Sequence, residues 1–123
     1  MKNMLVVDDE AEICDFLKSY FEEREFNVRT AGTGAAALKA VEQNPPHVVL
    51  LDLHMPGIDG MQVLKQIKEK HPGVKVIMVT ALETRDKIEE AMRLGADNYI
   101  TKPLSLEYLE NDVREKIANL TAQ

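Results

Sequence analysis

Residues 48–52 read Val48-Val49-Leu50-Leu51-Asp52, four consecutive apolar residues closed by a carboxylate. A half-buried strand alternates apolar and polar side chains. A short run that is apolar at both parities is a strand covered on both faces, as strands of parallel sheets are. Two further runs share this character, Met4-Leu5-Val6-Val7 and Val74-Lys75-Val76-Ile77-Met78-Val79. Val28-Arg29-Thr30-Ala31 and Asn98-Tyr99-Ile100-Thr101 are weaker and fit strands nearer the sheet edges. Helical periods lie between them. Ile13, Phe16, Leu17, Tyr20 and Phe21 follow the spacing of one buried helix face. Leu38 with Val41, Leu64 with Ile67, and Ile88 with Ala91 and Met92 mark three more helices. Leu106, Leu109, Val113, Ile117 and Leu120 mark a fifth.

The punctuation between these segments agrees. Asp59 and Gln62 form a capping box ahead of the third helix, and Thr84 and Ser105 are good N-caps for the fourth and fifth. Gly95 suits the left-handed position that ends a helix. Asn44-Pro45-Pro46 and His71-Pro72-Gly73 stop the second and third helices. Strands alternating with helices imply an α/β domain with a parallel sheet and helices on both faces. With 123 residues and no linker or repeat, residues 1–123 read as a single domain.

Composition narrows the function. Apolar residues at 45% and charged residues at 29% are ordinary for a soluble globular domain. A net charge of −6 disfavours direct nucleic-acid binding and anionic membranes. No apolar run approaches a membrane span, and Met1-Lys2 leads into the first strand without a signal-peptide pattern, so a cytoplasmic location is expected. Cys14, the single cysteine, reads as a small packing residue on a helix.

In open parallel sheets, ligands sit outside the carboxyl ends of the strands. There the first strand runs into Asp8-Asp9, the third into Asp52, the fourth into Thr80 and the fifth into Lys102. Each residue alone has an ordinary reading. Asp9 with Glu12 makes a capping box, Asp52 serves a turn, Thr80 ends a strand, and Lys102 is a surface lysine with a packed stem. Together they converge on one rim. Three carboxylates there repel one another unless a divalent cation lies among them, and oxygen donors suit Mg2+ or Mn2+. Metal, ammonium and hydroxyl around one carboxylate would stabilise charge on a transferring phosphoryl group and make that carboxylate a nucleophile.

The same residues carry a family resemblance. Val6-Val7-Asp8-Asp9-Glu10, the segment from Leu50 through Asp52, His54, Met55 and Pro56 to Gly60, Val79-Thr80-Ala81, and Tyr99-Ile100-Thr101-Lys102-Pro103-Leu104 appear in order across almost the whole chain. This set resembles the bacterial response-regulator receiver domain. The resemblance implies a flavodoxin-like, doubly wound five-stranded sheet of order 2-1-3-4-5 with five helices. It implies phosphorylation of Asp52 by a phosphohistidine donor, either a sensor histidine kinase or a histidine phosphotransferase. Asp9, Asp52 and the His54 carbonyl would hold Mg2+, with Asp8 acting largely through a water. Lys102 and Thr80 would meet the phosphoryl oxygens, and Tyr99 would act with Thr80 as the switch. Lys102-Pro103 would be cis, and Ala81 would be small beside the phosphoryl group. His54 and Leu82 would tune phosphoryl loss, with Leu82 hindering the attacking water. The fourth helix, fifth strand and fifth helix would signal to an effector protein or a covalently linked output domain, with homodimerisation on phosphorylation left open.

A haloacid-dehalogenase-type phosphatase also uses an aspartate nucleophile with Mg2+, but it wants an aspartate where His54 stands, and a cap. A flavodoxin-like cofactor binder wants a Ser/Thr/Gly-rich loop where Asp8-Asp9-Glu10 stands. The third alternative is a receiver-shaped module that is never phosphorylated. A receiver is expected to be a switch, with no turnover of an external substrate.

Overall fold

In a computed structural model of the chain, the five residues of the Val48–Asp52 strand are all buried. The structure describes residues 1–55, 57, 59–80 and 85–122. The expected N-cap Thr84, and the positions Pro56, Ala81 and Leu82, lie outside the described residues.

The elements alternate as strand and helix: β1 (Lys2–Val7), α1 (Ala11–Glu22), β2 (Phe26–Ala31), α2 (Gly34–Gln43), β3 (Val48–Asp52), α3 (Gly60–Lys70), β4 (Lys75–Thr80), α4 (Arg85–Arg93) and β5 (Asn98–Thr101). A last helix, α5 (106–120), begins with one α-turn at Leu106–Tyr108, passes through a π-helical segment at Leu109–Val113, and continues as α-helix over Arg114–Leu120. The strands form one parallel sheet in the order β2-β1-β3-β4-β5. Fold class and strand order are those expected, with the two weaker strands at the edges.

Strand alternation divides the core into two layers. Leu5, Val7, Val49, Leu51, Val76 and Met78 face α2, α3 and α4, where they meet Ala37, Val41, Val63, Leu64, Ile67 and Ala91. Met4, Val6, Val48, Leu50, Ile77 and Val79 face α1 and α5, meeting Leu17, Phe21, Leu109, Val113 and Ile117. Each fully buried leucine or isoleucine contributes about 2 kcal/mol through removal from water.

The helix faces need three corrections. In α1 the buried set is Cys14, Leu17, Tyr20 and Phe21, and Phe16 is exposed. At about 100° per residue, Phe16 falls roughly 100° from the centre of that buried arc. Met92 and Leu106, at the ends of their stripes, are likewise exposed.

Most caps follow the sequence. Asp59 accepts a hydrogen bond from the Gln62 N–H, Ser105 accepts one from the Tyr108 N–H, and Gly95 takes φ +108°. One tie had no signal in the sequence. Lys68 Nζ donates to Asp97 Oδ2 at 3.0 Å and to the Val74 carbonyl at 2.9 Å, and the same Asp97 oxygen accepts the Val76 N–H at 2.8 Å. These bonds pin the end of α3 to the start of β4 and to the α4–β5 turn. Lys68→Met should leave Asp97 largely buried without its cation and cost about 2 kcal/mol. Urea unfolding at neutral pH would read that loss, and an unchanged midpoint would contradict it.

Candidate functional site

Strand register assembles the site. Val7 lies level with Leu51, Asp52 with Val79, and Thr80 with Thr101. Asp8 and Asp52 are therefore level at the carboxyl rim, with Thr80 one residue and Lys102 two residues further along. Backbone bonds extend the ladder past the strands. The Asp8 N–H donates to Ala31 O at 3.1 Å, Leu53 N–H to Val79 O at 3.0 Å, and Lys102 N–H to Thr80 O at 2.9 Å. The Lys102-Pro103 bond is cis.

The acidic pair divides its work differently from the expected capping box. The N-cap of α1 is Glu10, whose side chain makes no capping bond. Asp8 Oδ1 instead accepts the Glu10 N–H at 2.9 Å, two residues along. The Asp8 carbonyl also accepts the Cys14 thiol at 3.3 Å. Asp9, relieved of capping, is exposed on the rim.

Asp8 is 3% exposed, Asp52 4% and Thr80 1%. Asp8, Asp9 and Asp52 each bring a carboxylate oxygen within 4.8 Å of the others. Lys102 Nζ lies 3.2 Å from Asp8 Oδ2, 3.7 Å from Asp52 Oδ2 and 3.7 Å from Glu10 Oε2. Asp52 therefore faces the ammonium through Oδ2, while its Oδ1 accepts the His54 N–H at 3.2 Å. Among the described residues, one ammonium among four carboxylates leaves the cluster strongly negative. Burial, and then the charge of Asp8, push the Asp52 carboxyl above its ordinary value, against the opposing pull of the His54 N–H and Lys102. Burial alone would lower Lys102, but the surrounding carboxylates, Asp52 first, outweigh it and raise the ammonium pKa. This donor set, all hard oxygen with excess negative charge, fits a divalent cation such as Mg2+.

The structure brings Asp8, Asp9, Asp52 and Lys102 together and sets Thr80 at the end of the strand next to Asp52. The His54 side chain is exposed. Tyr99 stands apart from the cluster, 37% exposed, with Lys116 Nζ 5.3 Å from its ring centroid and bonded to its carbonyl at 2.9 Å. Two residues escaped the sequence reading. Glu10 joins the lysine's partners only because α1 starts where it does. Gly60 had a place in the quoted segment but no role, and a Cβ there would fall 2.7 Å from the Asp52 carbonyl oxygen and 2.9 Å from that of Leu53. The start of α3 thus rests directly on the backbone that carries Asp52.

Sheet order and acidic rim together define an α/β signalling receiver. The chain belongs to the response regulator receiver domain family of two-component systems, whose pattern matches residues 4–114. It is 38% identical over 104 residues to the alkaline phosphatase synthesis transcriptional regulatory protein PhoP of Bacillus subtilis, covering 85% of this chain and 43% of PhoP. A response regulator receiver domain protein from Clostridium thermocellum superimposes with a TM-score of 0.89 at 31% identity, covering 99% of this chain and 95% of that one. The response regulator TrrA of Thermotoga maritima, in complex with Mg(2+)-BeF, gives 0.85 at 34% identity, covering 98% and 99%. The chain spans between a quarter and about half the length of the curated relatives it matches. Among the described residues, no helix is long and apolar enough to cross a membrane.

Proposed function

We propose that this domain is a phosphorylation switch that accepts a phosphoryl group on Asp52. The observation that carries the reading is a buried aspartate with two further carboxylates within 4.8 Å and an ammonium 3.7 Å from its Oδ2. The donor is a phosphohistidine of a sensor histidine kinase or histidine phosphotransferase. An Asp52 oxygen forms the new P–O bond, the P–N bond breaks, and the imidazole keeps the electron pair of that bond. Asp9, Asp52 and the His54 carbonyl would hold Mg2+, with Asp8 acting largely through a water, and the ion would supply charge neutralisation for the transferred group. Lys102 meets one phosphoryl oxygen and Thr80 donates its hydroxyl to another. The domain acts in the cytoplasm, turns over no external substrate, and passes its state through α4, β5 and α5 to an effector protein or linked output domain.

The phosphoryl group brings a charge near −2 and strong acceptors. It changes the output only by interacting differently with two states of the domain. Thr80 and Tyr99 are the residues that carry this difference. Thr80→Ala is expected to accept phosphate yet lose most of the phosphorylation-dependent change in the α4–β5–α5 amide shifts. A full response in that variant would remove Thr80 from the relay.

The deciding experiment is intact-protein mass after incubation with acetyl phosphate and Mg2+, beside Asp52→Ala. A single metal-dependent, base-labile adduct, absent from the control, is expected. An adduct that persists in Asp52→Ala would move the acceptor elsewhere. No adduct with Mg2+ shown bound would favour a module that is not phosphorylated by small donors.

A further inference from the structure

At the opposite end of the sheet, where the strands begin, lies an open cleft of about 730 Å3. Its walls include Lys2, His47, His71, Lys75 and the end of α5 from Asn119. In a chain of net charge −6, no Asp or Glu among the described residues lines it. Lys2 and Lys75 share a strand parity with Met4 and Ile77, so both side chains leave the sheet on the α1/α5 face. Met4, Val48 and Lys75 are level in neighbouring strands. Lys2 therefore starts about 7 Å further down and about 10 Å across from Lys75. A single anion of several ångströms can meet both ammonium groups.

Both lysines are half-buried, and among the described residues neither side chain has an ion pair or hydrogen bond. Two lysines without a carboxylate partner give the cleft a positive wall that a bridging anion would neutralise. His47 adds a fixed donor. Its Nδ1 accepts the Asn3 N–H at 2.9 Å, which leaves the ring proton on Nε2. His71 Nε2 lies 3.1 Å from Glu42 Oε1, so this histidine of the cleft wall is paired with a carboxylate outside it.

We propose that this cleft is an anion site for a phosphate-bearing small molecule, distinct from the acceptor rim. Its volume is within the range of ordinary ligand pockets and exceeds what one phosphate needs. Lys2 and Lys75 hold the phosphoryl oxygens from the α1/α5 side, and His47 offers its Nε2 proton from the wall on the other side of the sheet end.

The test is an amide-shift titration of the full chain with inorganic pyrophosphate, in EDTA so that the acidic rim holds no metal. Saturable shifts are expected at Lys2, His47, His71, Lys75 and Asn119, with none for chloride at equal ionic strength. Lys2→Gln with Lys75→Gln should weaken the apparent affinity at least tenfold. The same variant should take up phosphate at Asp52 at the wild-type rate, and Lys75→Gln alone serves if the double variant fails to fold. Shifts confined to the Asp8, Asp52 and Lys102 rim, non-saturating shifts, or equal affinity in the variant would each overturn the proposal. Saturation of the same amides by an acidic peptide but not by pyrophosphate would overturn it in favour of a protein-docking surface.

Discussion

Asp52→Asn is expected to melt above the wild type in metal-free solution at pH 7, and to take up no phosphoryl group at all. Asp52 is buried beside Asp8, and its carboxyl pKa is raised. A raised pKa means that the folded state prefers the protonated form. The associated stability is present below the unfolded value of 3.8 and is lost as pH rises through the raised folded value. At neutral pH the folded protein therefore bears the cost of an ionised Asp52, which a neutral amide of the same shape does not. The gain should be about 1–2 kcal/mol, and each kcal/mol corresponds to about 4 °C in a domain of this length. It should shrink as the pH falls toward 4. Mg2+ should reverse the order, because a ligand at a hundred times its dissociation constant stabilises the state that binds it by about 2.7 kcal/mol. Calorimetry with and without Mg2+ reads both effects. A metal-free variant that melts below the wild type would show that the Lys102–Asp52 attraction outweighs burial and the charge of Asp8.

Gly60→Val should be the most damaging single substitution beside the site, and Gly60→Ala a milder version of it. A Cβ at Gly60 meets the carbonyl oxygens of Asp52 and Leu53 and the Leu53 Cα, at 2.7, 2.9 and 3.0 Å. These are backbone atoms with little freedom. The Leu53 N–H is bonded to Val79 O, and the Leu53 side chain is buried. Either α3 must lift from the sheet or the Asp52–Leu53 backbone must move. Overpacking of this kind costs about 1–3 kcal/mol for alanine, and valine adds two methyl groups to the clash. The alanine variant is expected to fold with lower stability and to be phosphorylated at least tenfold more slowly, since about 1 Å of misplacement can cost a hundredfold in rate. Wild-type phosphorylation in a folded Gly60→Ala would show that the strand end yields without disturbing the carboxylate.

What the sequence discloses here depends on how local the cause is. The β1, β3 and β4 strands were legible because burial on two faces demands apolar residues at both parities, a pattern in contiguous residues. The rim was legible because a parallel sheet places every strand's carboxyl end together, so Asp8, Asp52, Thr80 and Lys102 could be gathered without knowing a single contact. The Asp9–Glu12 capping pattern does not form because it has a competitor, Asp8, two residues before the N-cap Glu10. Glu10, Gly60 and the Lys68–Asp97 tie left no trace, because their importance arises where elements distant in sequence touch. The π-helical stretch of α5 was hidden for another reason. Leu109, Val113 and Ile117 recur every four residues, which on an α-helix drifts by about 40° per step and reads as one face all the same.

That stretch is also held from outside. Glu110, within it, accepts bonds from Tyr20 and from Arg24 Nη2 at 2.8 Å, and pairs with Arg114 at 3.0 Å, while the Arg24 guanidinium lies 3.7 Å over the Tyr20 ring. A π turn holds one residue more than the α-helix it interrupts. The last helix of this domain thus carries slack in its length. Deleting one exposed residue between Leu109 and Val113, such as Asn111, would restore continuous α-helix while Ile117 kept its place against the sheet. The same deletion after Val113 would turn the following residues by about 100° and expose that side chain. Single-residue gaps in this helix should therefore be tolerated at one place and rejected a turn later.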